Sequence, residues 1–77
     1  SSQIELRVDD QVGVLSRVTT ICADHRASII SLLVYPDLKQ SSKKIISLRV
    51  KSISPQAVIE DLRKEGFELL WPNFPSM

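Results

Sequence analysis

Hydrophobic and polar positions alternate from the start of the chain. Ile4, Leu6 and Val8 are apolar, and Gln3, Glu5, Arg7 and Asp9 are polar. A period of two predicts a half-buried strand. The alternation breaks at Asp9-Asp10-Gln11-Val12-Gly13-Val14-Leu15. Beyond that hinge, Val14, Leu15, Val18, Ile21 and Cys22 recur at helical spacing, while Ser16, Arg17, Thr19, Thr20, Ala23 and Asp24 fall mostly on the opposite face. This predicts an amphipathic helix from Gly13 to about His25. Its stop near Arg26-Ala27-Ser28 comes without the usual glycine.

Ile29 to Tyr35 is a continuous β-prone run, ended by Pro36-Asp37. Asp37 to Lys44 is polar and reads as an exposed hairpin loop. Lys44 to Lys51 alternates again, with Ile46, Leu48 and Val50 on one face and Ile45, Ser47, Arg49 and Lys51 on the other. Ser54-Pro55 opens a second helix, with Ser as N-cap and Pro at the first helical position. Ala57, Val58, Ile59 and Leu62 give it an apolar stripe, and Gly66 ends it. Phe67 to Trp71 is a short last strand, and Pro72 to Pro75 an irregular tail.

The predicted order is β-α-β-β-α-β. With right-handed crossovers this closes into an α+β, ferredoxin-like sandwich: a four-stranded antiparallel sheet with both helices on one face. The spatial order is fourth, first, third, second strand. The second strand, the most continuously apolar of the four, then becomes an edge, and a long apolar edge is a template for pairing. Two arrangements satisfy it. It pairs with its own copy in a twofold homodimer with a continuous eight-stranded sheet, or another part of a parent protein covers it. The dimer is preferred. On the helix-free face, Ile29, Leu33 and Tyr35 are the expected exposed apolar residues.

Composition narrows the function. The chain of 77 residues, 43% apolar and 25% charged, has the make-up of one small globular domain. A net charge of +1 gives no electrostatic case for nucleic acid or anionic membrane, and no apolar run is long enough to cross a bilayer. The single Cys22 excludes an internal disulfide and fits a reducing, cytoplasmic setting. The start at Ser1-Ser2 points to a fragment of a longer chain, with an ordered core over about residues 3–72.

The hinge places a glycine where a strand hands over to a helix N-terminus, whose free N–H groups and dipole suit an anion. Asp10 there serves as helix cap or as ligand contact. Backbone N–H groups around Gly13 can hold a carboxylate and Asp10 an ammonium, so a zwitterion satisfies both. A phosphate would meet Asp9 and Asp10. Cys22 and His25, three residues apart, are too few for a zinc site, and no metal or cofactor is expected. Cys22 reads as a small buried hydrophobe, Lys39, Lys43 and Lys44 as a solvated hairpin tip, and Trp71 as core or interface.

The hinge resembles that of the ACT domain, a regulatory module of amino-acid metabolism. The family's hinge has an acidic or amide residue, any residue, proline, glycine, any residue, leucine. This chain keeps Asp10, Gly13 and Leu15 and replaces the proline with Val12. Before the second strand the family shows glycine, any residue, asparagine, isoleucine. Here Arg26-Ala27-Ser28-Ile29 keeps only the isoleucine. The ending Phe67 to Pro72 resembles that of ACT domains behind paired CBS domains, including acetoin-utilization-like proteins. The resemblance implies an amino-acid ligand between two copies. Asp10, Val12, Gly13, Val14 and Leu15 would face it from one copy, and Ser28, Ile29 and Ile30 from the other.

Other functions of this topology lack their residues. The central strands carry no aromatic to stack a base. The hinge has no Cys-x-x-Cys for a heavy metal, and no arginine for acylphosphatase-like chemistry. No nucleophile has a convincing base beside it. The reading is a non-enzymatic regulatory domain that binds an amino acid through dimerisation. The alternative is a structural dimerisation module with no ligand.

Overall fold

The computed structural model describes residues 1–72. The expected tail residues Asn73, Phe74 and Pro75 lie outside them. Six elements follow in order: β1 (Ser2–Asp9), α1 (Val14–Asp24), β2 (Ser28–Pro36), β3 (Lys43–Lys51), α2 (Pro55–Lys64) and β4 (Glu68–Trp71). The sheet order is β2-β3-β1-β4, with every neighbouring pair antiparallel. This is the expected ferredoxin-like arrangement.

Strand alternation builds the core directly. Ile4 faces Leu48 and Leu6 faces Ile46 across the β1–β3 ladder, and all four are buried. Leu48 also pairs with Leu32 of β2, which packs on the core from the edge. Val14, Val18, Ile21 and Cys22 of α1 and Val58, Ile59 and Leu62 of α2 complete it. Burial pushes the Cys22 thiol up from its ordinary range, so it stays protonated and unreactive, as a small core hydrophobe should.

Both helices end in the same motif. Phe67 N–H bonds to Leu62 O and Gly66 N–H to Arg63 O at the end of α2. Ala27 N–H bonds to Cys22 O and Arg26 N–H to Ala23 O at the end of α1. These paired bonds form a Schellman motif, whose penultimate residue is left-handed and usually glycine. Gly66 fills that role at φ 92°, whereas α1 uses Arg26 at φ 54°. The stop that sequence showed no glycine for is therefore made by an arginine, at a strain of roughly 1 kcal/mol.

The β2–β3 turn is pinned by a charge network. Arg7 reaches across the sheet to Asp37 (Nε–Oδ2 2.6 Å) and to Glu68 (Nη1–Oε2 2.5 Å), tying the turn through β1 to β4. Asp37 is only 8% exposed. Its carboxyl is held below the ordinary carboxylate range, first by the Lys39 N–H (2.9 Å) and then by Arg7. A carboxylate with a depressed folded pKa stabilises fully above its unfolded value of about 4 and loses that contribution as pH falls below it. Thermal melts should therefore show the wild-type midpoint falling more steeply than that of Asp37→Asn between pH 5 and about 2. Parallel decline of the two proteins would assign the acid sensitivity elsewhere.

Three expectations change. Ile29 lies opposite Val50, a core residue on the helix-covered face, because the register shifts between Ile29 and Ser31. The extra residue is Ile30, a β-bulge that resets the alternation. Leu33 and Tyr35 do share the helix-free face with their partners Ser47 and Ile45. Trp71 is not core: it is more than half exposed on the short edge strand β4. Lys43 and Lys44 are not a free tip, since each is paired to a hinge acid.

Candidate functional site

The hinge sits at the end of the sheet where β1 stops and β3 begins, with Asp9 opposite Lys43. Register sets Lys43 and Lys44 beside Asp9 and Asp10, and the lysine Nζ atoms lie 2.5 Å from Asp9 Oδ1 and 3.1 Å from Asp10 Oδ1. Asp10 N–H also bonds to Ser42 O at 3.2 Å. The hinge is thus docked on the base of the hairpin. Asp10 does not cap α1. The N-cap is Gly13, at φ 91°, and no side chain caps the helix. The positive φ is the reason for a glycine: a Cβ there would meet nothing within 4 Å, so the constraint is the backbone conformation.

An uncapped helix start leaves donors free. Val14 N–H bonds to Gln11 O and Arg17 N–H to Gly13 O. The N–H groups of Leu15 and Ser16 have no backbone acceptor among the described residues. No acid occupies the first turn to compete for them. The lysine partners neutralise Asp9 and Asp10, which removes much of their expected repulsion toward a phosphate. An ammonium of the ligand would share Asp10 with Lys44.

The remaining hinge residues divide by burial. Val12 is fully exposed and Leu15 partly so, while the Val14 side chain is in the core and its N–H is taken by Gln11 O. On the β4 side of the hinge lies a cleft of about 230 Å³, lined by Arg7, Asp9, Gln11, Arg17, Lys43 and Phe67 among others. Arg17 stacks over the Phe67 ring at 4.7 Å and donates to Glu65 O at 3.2 Å. Arg17 and Phe67 were not anticipated at the hinge. Arg17 comes one helical turn after Gly13, but its partners are nearly fifty residues away and only the fold brings them in. Lys43–Asp9, Arg7–Glu68 and Arg17–Glu65 are matched pairs, so this cleft carries no excess charge.

The second predicted group, Ser28, Ile29 and Ile30, lies at the other end of the sheet. Ser28 pairs with Lys51, while Pro36 pairs with Lys44 near the hinge. β1 and β2 both run antiparallel to β3, so they run parallel to each other, and β2 starts where β1 starts. The nine residues of β2 separate its start from the hinge level by roughly 26 Å at strand rise. One chain therefore does not bring the two predicted groups together. His25, also singled out by sequence, holds Asp61 of α2 at 2.9 Å and links the helices. No cluster of three or more His, Cys, Asp or Glu side chains suited to a metal occurs among the described residues.

The ACT domain family model matches residues 2–67, nearly the whole described fold. The chain belongs to the ACT-domain family. ACT domains are in general regulatory, ligand-binding modules that typically dimerise, and the family is not a catalytic one. Within this ACT domain the match covers the hinge, the bulged edge strand and the Arg26 turn. No helix among the described residues is long and apolar enough to cross a membrane.

Proposed function

We propose that this ACT domain works as a cytoplasmic homodimer paired through β2, and that it binds an amino acid between two copies. The observation that carries this reading is the placement of the two site halves at opposite ends of one sheet. A twofold pairing of β2 with its own copy is antiparallel. It sets the Ser28–Ile30 segment of the second copy level with Pro36, at the hinge end of the first.

The edge itself supports the pairing. Ile30 is 54% and Leu33 64% exposed, with Ile29, Val34 and Tyr35 also exposed along β2. This leaves a strand of nine residues with apolar side chains on both faces and an unpaired edge, the kind that associates unless blocked. β2 carries no charged residue to block it.

The uncapped N–H groups of Leu15 and Ser16 suit the ligand's carboxylate, and Asp10 suits its ammonium. Regulation follows by linkage: a ligand that touches both copies favours the paired state, and the bias passes to whatever the domain is fused to. The Phe67–Pro72 ending favours a parent protein with a CBS pair.

Calorimetry against each common amino acid, with sedimentation run in parallel, tests this. Heat from one or a few, lost in Asp10→Ala with the dimer retained, is the expected result. A dimer that gives no heat with any amino acid would leave a purely structural dimerisation module.

A further inference from the structure

A second cleft, of about 620 Å³, lies at the end of the molecule away from the hinge. It is formed by the α1–β2 turn and the β3–α2 connection, and is lined by His25, Arg26, Ser28, Lys51, Ile53 and Ala57, with Ser52 and Ser54. Its charge differs from that of the clefts at the hinge and beside α2. The hinge cleft and those beside α2 all include carboxylates that face cations. Here no carboxylate lines the wall. The side chains of Arg26 and Lys51 have no hydrogen-bond or ion-pair partner among the described residues, and Asp61 already engages His25.

Arg26 is also in an unexpected conformation. The same Schellman motif closes both helices, and α2 uses Gly66 for the left-handed position. α1 puts Arg26 there, at φ 54°, a conformation that side chains other than Asn and Asp rarely adopt. Glycine would serve the turn better. Backbone strain of this kind points toward a use for the side chain.

We propose that this cleft is an oxyanion site, in which Arg26 and Lys51 take the carboxylate or phosphate group of a small metabolite. Arg26 supplies a planar fork of donors and Lys51 a point charge. Ser52 and Ser54 add hydroxyl donors at the wall, and Ile53 and Ala57 an apolar surface for the rest of the molecule. The site lies within one chain, so it stands whether or not β2 pairs.

The test is an NMR titration of the ¹⁵N-labelled protein with inorganic phosphate and, separately, with succinate, each at ionic strength fixed with sodium chloride. Saturable shifts at the amides of Ser52, Ile53 and Ala57 are expected, and the tighter of the two probes identifies the group. Arg26→Gly should weaken the binding at least tenfold while its thermal midpoint stays level or rises, because glycine relaxes the turn. Lys51→Gln should weaken it without moving the midpoint. Three outcomes overturn the proposal: no saturable shift with either probe, the same shifts with chloride alone, or unchanged titration in Arg26→Gly. A drop in the Arg26→Gly midpoint with unchanged titration would assign Arg26 to the α1 dipole instead. Asp10→Ala, which abolishes amino-acid heat in the hinge reading, should leave this titration unchanged, so failure here is distinct from failure at the hinge.

Discussion

Leu33→Lys should convert the proposed β2-paired dimer into a folded monomer. β2 spans Ser28–Pro36, so Leu33 lies one residue from the middle of the strand. Any twofold pairing centred on that strand brings the two copies of Leu33 close together. Two lysines there would be like charges on facing strands, and an edge lysine is a common device for preventing strand association. The dimer dissociation constant should rise at least 100-fold, a change of about 2.7 kcal/mol. The monomer's own fold should hold, because Leu33 is exposed and outside the core, and exposed substitutions usually stay within about 0.5 kcal/mol. Sedimentation velocity over a concentration series, with circular dichroism for the fold, reads both effects. A Leu33→Lys protein that sediments as the wild type would exclude β2 as the interface.

Leu48→Ala should have the largest effect on stability. Leu48 is 0% exposed and sits in the middle of β3, between Ile4 of β1 and Leu32 of β2. Both helices are packed over that face, leaving little room to collapse into the space left behind. Truncating such a leucine costs about 3–5 kcal/mol from lost transfer energy plus the cavity. A domain of 77 residues holds about 4–12 kcal/mol in total, from roughly 0.05–0.15 kcal/mol per residue. The substitution therefore removes about a quarter or more of the stability. Urea unfolding in the monomeric Leu33→Lys background measures it free of protein concentration. Leu38→Ala, at an exposed leucine of the hairpin loop, should change little. Equal costs at the two positions would contradict the assignment of the core.

The sequence carried the layers of this fold more plainly than its joints. Alternation at Ile4-Leu6-Val8 and Ile46-Leu48-Val50 reports which side of a strand is buried, and those six residues are buried. The helical spacing of Val14, Val18, Ile21 and Cys22 does the same for α1. Alternation says nothing about how far one strand slides along another. The pairs Lys43–Asp9, Lys44–Asp10 and Arg7–Asp37 all depend on that slide. A hairpin lysine thus read as solvated when its partner was 34 residues away. The bulge at Ile30 and the left-handed Arg26 were hidden for another reason. Both are backbone events that usually announce themselves by glycine, and here the residues are ordinary ones. Asp10 looked like a cap because it is an acid before a helix, yet the cap fell to Gly13 and the acid to Lys44.

The candidate site was legible as two groups of residues, and its geometry was not. Only the register shows that Ser28 and the hinge lie at opposite ends of the sheet, which makes a second copy part of the proposed site. The proposed site joins the hinge of one chain to the bulged strand of another. Isotope-filtered NOE spectroscopy on a dimer mixed from labelled and unlabelled chains tests it most directly. Intermolecular contacts are expected along β2, with Leu33 near its own copy and Ile29 and Ile30 of one chain near Tyr35 and Pro36 of the other. A monomer at NMR concentration, or intermolecular contacts confined to β4 or the helices, would contradict it.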